Sequence, residues 1–231
     1  MIYYNGKAFS DFSIHTDNSQ SFESAPRSVE TASVPGRSGD LRFDNNRYAN
    51  IPQKYNCFIR QGFKRHYQDF IAFLMQDGEY HKLQDTAHPD VYRMAAVDAA
   101  PTYTTGAFNE SGTFTVTFNC KPQKYLIAGE RATKIRAGSV TLRNPTNYEA
   151  KPLIRVYGNG TVSIGSYLIT VANDPFDYID IDCDVMDCMN GISNANKYVT
   201  ISGYEFPVLG KGTTKITVSG TAEITPRWWT I

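Results

Sequence analysis

Little in this sequence is suited to reaction chemistry or to holding a charged polymer. The four cysteines, Cys57, Cys120, Cys183 and Cys188, make no C-x-x-C pair. That spacing argues against a zinc site and reads as reduced thiols. Lys+Arg 23 against Asp+Glu 23 cancel to a formal net charge of +0. A sequence-independent nucleic-acid binder carries a basic excess or a basic stripe, and neither is present. No run approaches the roughly 18 apolar residues of a membrane span. Met1-Ile2-Tyr3-Tyr4-Asn5-Gly6-Lys7 lacks the basic start and apolar run of a signal peptide. The expectation is a soluble chain made in a cytosol, with no cofactor and no membrane partner.

What is present is β-forming sequence. The chain has 231 residues, 41% hydrophobic and 13% aromatic, enough to bury roughly 70% of its unfolded surface without a staple. Ile2-Tyr3-Tyr4 and Ala8-Phe9 flank Asn5-Gly6, a hairpin signal because a type I′ turn needs φ > 0 at both central residues. A long hairpin with a polar tip is expected over residues 27–59, broken at Pro35-Gly36-Arg37-Ser38-Gly39-Asp40. One helix is expected within residues 61–76, where Phe63, Tyr67, Phe70, Ile71 and Leu74 recur at spacings of three and four. Gly78 is its expected C-cap. Thr113 to Phe118 alternates as a half-buried strand that Pro122 is expected to stop. Residues 123–139 read as less regular, and from Lys151 onward short strands and tight turns give the pattern of a β-sandwich. Gly158-Asn159-Gly160 reads as a hairpin turn in that run.

Three clusters invite chemistry. His81, Asp85, His88 and Asp90 could ligate a metal, but the histidines lie seven apart with Pro89 following. A zinc hydrolase places two histidines on one helix face, so a surface turn is expected. Asp180, Asp182 and Asp184 alternate like calcium ligands, without the central Gly and closing Glu of an EF-hand loop. Alternation in a strand puts them on one solvated face, with Ile179, Ile181 and Cys183 inward; a cation site is the other reading. Cys57 and Cys120 sit in alternating strands and are expected to be buried. Trp228-Trp229 is either a final strand with one ring in the core or an aromatic anchor at a subunit contact. No catalytic or metal residues are assigned, and an enzyme is not expected.

Several motifs, in order, carry a resemblance. They are Val34-Pro35-Gly36-Arg37-Ser38-Gly39-Asp40, Asn46-Arg47-Tyr48, Tyr92-Arg93 and Phe118-Asn119-Cys120-Lys121-Pro122 in the first half. Asn144-Pro145-Thr146-Asn147-Tyr148-Glu149-Ala150-Lys151-Pro152, Gly203-Tyr204-Glu205-Phe206-Pro207 and Pro226-Arg227-Trp228-Trp229 follow. The set resembles the distal tail proteins (Dit family) of long-tailed, siphovirus-type phages over nearly the whole chain. The resemblance implies a mainly β fold: an N-terminal β domain, a split barrel-like sheet with one helix, plus a galectin-like β-sandwich. By that template the first domain is 1–135 completed by 220–231, and the sandwich is 136–219.

The resemblance further implies a virion structural protein at the tail tip or baseplate, closing as a homohexamer ring. Its partners would be further copies of itself, the major tail tube protein and the tail-associated lysin or adhesion hub, with DNA passing through the channel. Val34, Pro35, Gly36, Arg37, Asp40, Asn46, Arg47 and Tyr48 are then expected at the oligomer interface, on an arm that braces a neighbour. Trp228 and Trp229 join them if the terminal rings are anchors. A carbohydrate-binding module is the alternative, with Tyr157, Tyr167, Tyr178, Tyr198 and Tyr204 as the available rings.

Overall fold

Asn5 and Gly6 take φ of 45° and 77° and join β1 (Ile2–Tyr4) to β2 (Lys7–Ala8), with Tyr4 opposite Lys7. This is the two-residue hairpin that the dipeptide signals. The computed structural model describes residues 1–17, 22–203 and 205–231. They fall into two units, Met1–Lys124 and Tyr125–Thr230, each with its own hydrophobic core.

The first unit continues with β3 (His15–Thr16), β4 (Arg27–Ala32), β5 (Leu41–Tyr48) and β6 (Ile51–Ile59). Helix α1 (Phe63–Leu74), β7 (His81–Asp85), β8 (Val91–Ala96), β9 (Tyr103–Thr105) and β10 (Gly112–Leu126) follow. The sheet order is β2-β1-β7-β8-β10-β6-β3, with β9 added beside β10, while β4 and β5 among the described residues pair only with each other. Along β6 every second residue is buried, from Ile51 through Tyr55 and Cys57 to Ile59. β10 matches it in antiparallel register, Phe114 opposite Cys57 and Phe118 opposite Gln53. Period-two alternation thus gives one apolar face.

Helix α1 covers that face with Phe63, Tyr67, Phe70, Phe73 and Leu74. The Phe70 ring meets Phe9 at 4.9 Å and Phe114 at 5.9 Å, and Gly112 leaves room for the Phe63 ring, which a Cβ there would meet at 2.5 Å. The helix closes earlier than expected: Met75 N–H bonds the Ile71 carbonyl at 2.9 Å, and Gly78 is not its cap. Pro122 does not stop β10 either. Pairing with β6 ends at Cys120, so the missing N–H of Pro122 falls where that ladder no longer needs it.

The second unit holds β11 (Thr133–Asn144), β12 (Leu153–Tyr157), β13 (Gly160–Ile164), β14 (Tyr167–Val171) and β15 (Tyr178–Asp182). It ends with β16 (Asp187–Asn190), β17 (Ser193–Asn194), β18 (Val199–Ile201), β19 (Gly212–Thr225) and β20 (Trp229–Thr230). Residues 123–139, expected to be irregular, include the start of β11. Within the run expected to hold short strands, Phe206-Pro207-Val208-Leu209 forms only one bridge, Leu209 to Ala150.

Gly158-Asn159-Gly160 is not a hairpin turn. β12 and β13 both run antiparallel to the same strand, Tyr157 opposite Thr221 and Val162 opposite Val218. They are one strand with extra residues at the bend. On the other side of β19, β11 shifts register between Arg136 and Gly138. Bulged residues bend and twist a strand, and here they fold one sheet over on itself. Ile154, Val156, Ile179 and Ile181 from one half share a core with Val162, Ile169, Ile216 and Val218 from the other. The result is a β-sandwich, and the chain as a whole is mainly β, as expected.

The division between units differs from the template-based one. β11 pairs with β19 from Thr133 opposite Ile224 to Asn144 opposite Gly212, and Leu126 N–H bonds the Trp228 carbonyl at 2.8 Å. Thr133 to Ile135 and Ala222 to Ile224 therefore pair within the second unit, while Ile231 groups with the first.

Candidate assembly surface

The arm is a two-stranded ribbon whose register runs from Arg27 opposite Tyr48 to Ala32 opposite Leu41. Its tip turns where Pro35 and Gly36 sit centrally: Arg37 N–H bonds the Val34 carbonyl at 3.1 Å and Gly36 has φ 81°. A type II turn wants Pro first and a residue tolerating φ > 0 second. At the base, Ala49 N–H bonds the Pro26 carbonyl at 2.9 Å. Arg27 ion-pairs with Asp44 and lies over the Tyr48 ring at 5.8 Å. The Asn46 backbone N–H, first, and the Arg27 guanidinium hold the Asp44 carboxyl below its usual pKa.

Val34, Pro35, Gly36, Arg37, Asp40, Asn46 and Arg47 are all exposed, and Tyr48 is half-buried. The structure thus gathers these eight on one ribbon. It also adds a residue that the motif reading missed: Phe43 is 55% exposed and lies opposite Glu30, next to the Ala32–Leu41 pair. The signal available was the alternation Leu41-Arg42-Phe43, which marks a strand face but not what covers it. Phe108, 95% exposed with φ 58° on the loop before β10, was missed as well.

Trp228 and Trp229 are elsewhere. Trp228 is 6% exposed within the sandwich core, as in the reading that puts one of the two rings in the core. Trp229 stacks on Tyr148 at 4.5 Å, and its Nε1–H donates to the Glu149 carbonyl at 2.9 Å. The motif around Asn144 is the other half of this lock. Buried Asn144 donates through Nδ2 to the Tyr148 carbonyl at 2.8 Å and accepts from Thr146 N–H at 2.9 Å. Two of the strings that carry the resemblance are a turn and a chain end holding each other.

Arg227 completes it with bidentate bonds to Asp182 at 2.7 and 2.8 Å. The other acids of the alternating run are paired too, Asp180 with Arg155 at 2.7 Å and Asp184 with Lys151 at 3.2 Å. Ile179, Ile181 and Cys183 face inward, so the solvated-face reading describes this strand. Burial raises the Asp182 pKa, but Arg227 and the N–H groups of Asp184 and Val185 outweigh it and the net shift is downward. A carboxyl with a depressed folded pKa stabilises the fold above its unfolded pKa and loses that contribution as pH falls through the folded value. Thermal unfolding between about pH 5 and pH 2 should therefore show the midpoint falling less steeply in Asp182→Asn than in the parent. Equal slopes would remove this pair from the acid response.

The remaining clusters carry no reaction geometry. His81 Nε2 meets Asp77 at 2.8 Å, and His88 Nδ1 lies 3.6 Å from Asp85, so each histidine has its own aspartate in its own turn. Among the described residues no group of three or more His, Cys, Asp or Glu is placed to hold a metal. Burial pushes the Cys57 and Cys120 thiols up to about 12, which keeps them protonated and poor nucleophiles. Three of the sandwich tyrosines are engaged by cations: Arg155 lies 4.2 Å from the Tyr178 ring, Lys134 4.9 Å from Tyr157 and Lys197 4.7 Å from Tyr198. Those faces are not bare platforms for a sugar. Tyr204 lies outside the described residues.

No family model and no curated protein matches the sequence. Solved structures do. The Dit protein (gp 19.1) of phage SPP1, described as a paradigm of the hub adsorption apparatus in phages infecting Gram-positive bacteria, is similar at TM-score 0.66 and 13% identity over 100% of this chain and 98% of that one. The phage p2 baseplate in its activated conformation with Sr is similar at TM-score 0.54 and 13% identity, over 94% and 91%. With two β units and an exposed ribbon, the chain carries from end to end the fold of a phage distal tail protein, Dit.

Proposed function

We propose that this chain is a structural protein of a phage tail tip. Copies of it close into a hexameric ring that joins the tail tube to the adhesion or tail-lysin hub and leaves a channel for DNA. The observation carrying this reading is the full-length likeness to the SPP1 Dit fold, 100% of one chain on 98% of the other. The arm supplies the physics. An exposed ribbon has open strand edges and can pair with a neighbour's sheet by backbone hydrogen bonds. Unpaired edges invite uncontrolled association, and a head-to-tail contact whose rotation closes uses them up. Val34, Leu41 and Phe43 give that ribbon apolar contact area, and Asn46, Arg47 and Tyr48 lie towards its base.

The Pro26–Ala49 hydrogen bond holds the arm's two ends together, so an Asn-Gly turn can replace residues 27–48 without disturbing β6. Light scattering on a size-exclusion peak and negative-stain images, with the tube protein added, should show a six-fold ring for the parent. The armless variant should stay monomeric with little change in thermal midpoint. An armless protein that forms the same ring removes the arm from the mechanism; a parent that never assembles, alone or with the tube protein, removes the ring.

A further inference from the structure

We propose that the cavity between β8, β10 and the segment Phe22 to Ser24 is a binding site for a small oxyanion, a carboxylate or phosphate group held by Arg93 and Lys124. The cavity encloses about 80 Å³ and is lined by both cations together with Ser24, Tyr55, Asp85 and Tyr92. Tyr92-Arg93 is one of the motifs that the arm and the C-terminal lock leave unused.

The cations are poorly compensated. Arg93 reaches the carbonyls of Pro122 at 3.2 Å, Glu23 at 3.4 Å and Lys121 at 3.5 Å, long bonds to neutral acceptors. Among the described residues no carboxylate comes within ion-pairing distance of either Arg93 or Lys124. Asp85 is an acid whose charge acts on Arg93, but its oxygens already accept other hydrogen bonds. Tyr55 O–H donates to Oδ2 at 3.1 Å, and the N–H groups of Ala87 and His88 donate to Oδ1 at 2.8 and 2.9 Å. Glu23 also lines the cavity, but it is exposed and its bond to Arg93 is through its carbonyl. A half-buried guanidinium beside a second, partly desolvated cation is costly without a counter-charge. Arg93 and burial both lower the Lys124 pKa, burial more, the response of an ammonium that lacks an anion. A planar guanidinium with an ammonium beside it matches an oxyanion, which takes several charge-assisted hydrogen bonds at once.

The test is thermal unfolding of the full chain in inorganic phosphate and in acetate, against sodium chloride at equal ionic strength. A ligand that binds only the folded state raises the midpoint with its concentration. The parent and Lys54→Met, a change at an exposed lysine outside the cavity, should respond alike. Lys124→Met should need at least ten times more anion for the same shift. An equal response in Lys124→Met, or the same shift in chloride, overturns the site and leaves a general ionic effect. Light scattering in saturating phosphate separates the sources of the anion. A falling assembly mass assigns the natural occupant to a carboxylate of another copy, and a constant mass assigns it to a free anion.

Discussion

Trp228→Ala should lower the stability of the sandwich unit by about 3–5 kcal/mol, the range for removing a large aromatic side chain from a close-packed core. The ring is 6% exposed among Ile135, Ile154, Ile224 and their neighbours. Its backbone also ties the end of β10 through the Leu126 bond, so loss of the ring loosens two chain segments. Guanidinium titration monitored by tryptophan fluorescence isolates this event, because both tryptophans of the chain belong to this unit and Trp229 remains as reporter. If Trp228 were an anchor at a subunit contact, the titration midpoint would stay and only assembly would weaken. That outcome would restore the interface reading of the terminal rings.

Phe118→Ala should have a comparable effect on the first unit, again about 3–5 kcal/mol. Phe118 is fully buried and its ring centre lies 4.8 Å from Tyr4, 5.9 Å from Tyr55 and 6.3 Å from Phe9. Tilted and edge-on contacts of this kind add to the burial term. Circular dichroism should show an early loss of structure while the tryptophan signal of the sandwich changes little. A single coincident transition in both signals, shifted by the full amount, would mean that the two cores unfold as one. The armless protein and this variant then separate assembly from stability, since the arm residues contribute almost nothing to either core.

Much of this architecture is legible in local pattern. The Asn5-Gly6 hairpin, the helix stripe from Phe63 to Leu74, the turn at Pro35-Gly36 and the short strands after Leu153 all rest on interactions within a few residues. Backbone propensity and hydrophobic period report such interactions directly. The misreadings are the ones that depend on distant partners. Whether Pro122 ends a strand is decided by where β6 stops beside it. Gly158-Asn159-Gly160 has turn chemistry, yet becomes a bend because β19 runs alongside both flanking strands.

The candidate surface divides the same way. Exposure of the arm's tip follows from its polar, glycine-containing sequence, but the outward position of Phe43 is known only once no second layer covers that ribbon. Identical tryptophans three residues from the chain end had two open readings. The choice was made by a core assembled from β11, β12 and β19, which no local window contains. The sequence by itself determined the β class, the helix from Phe63 to Leu74 and the arm, because composition and period express short-range sterics and solvation. Tertiary structure alone decided where one unit ends and the next begins, which motif residues are spent inside the chain, and that Arg93 and Lys124 face one cavity with no ion pair to either among the described residues. Those outcomes depend on which long-range strand pairs form, and loop closure leaves no mark on the residues between.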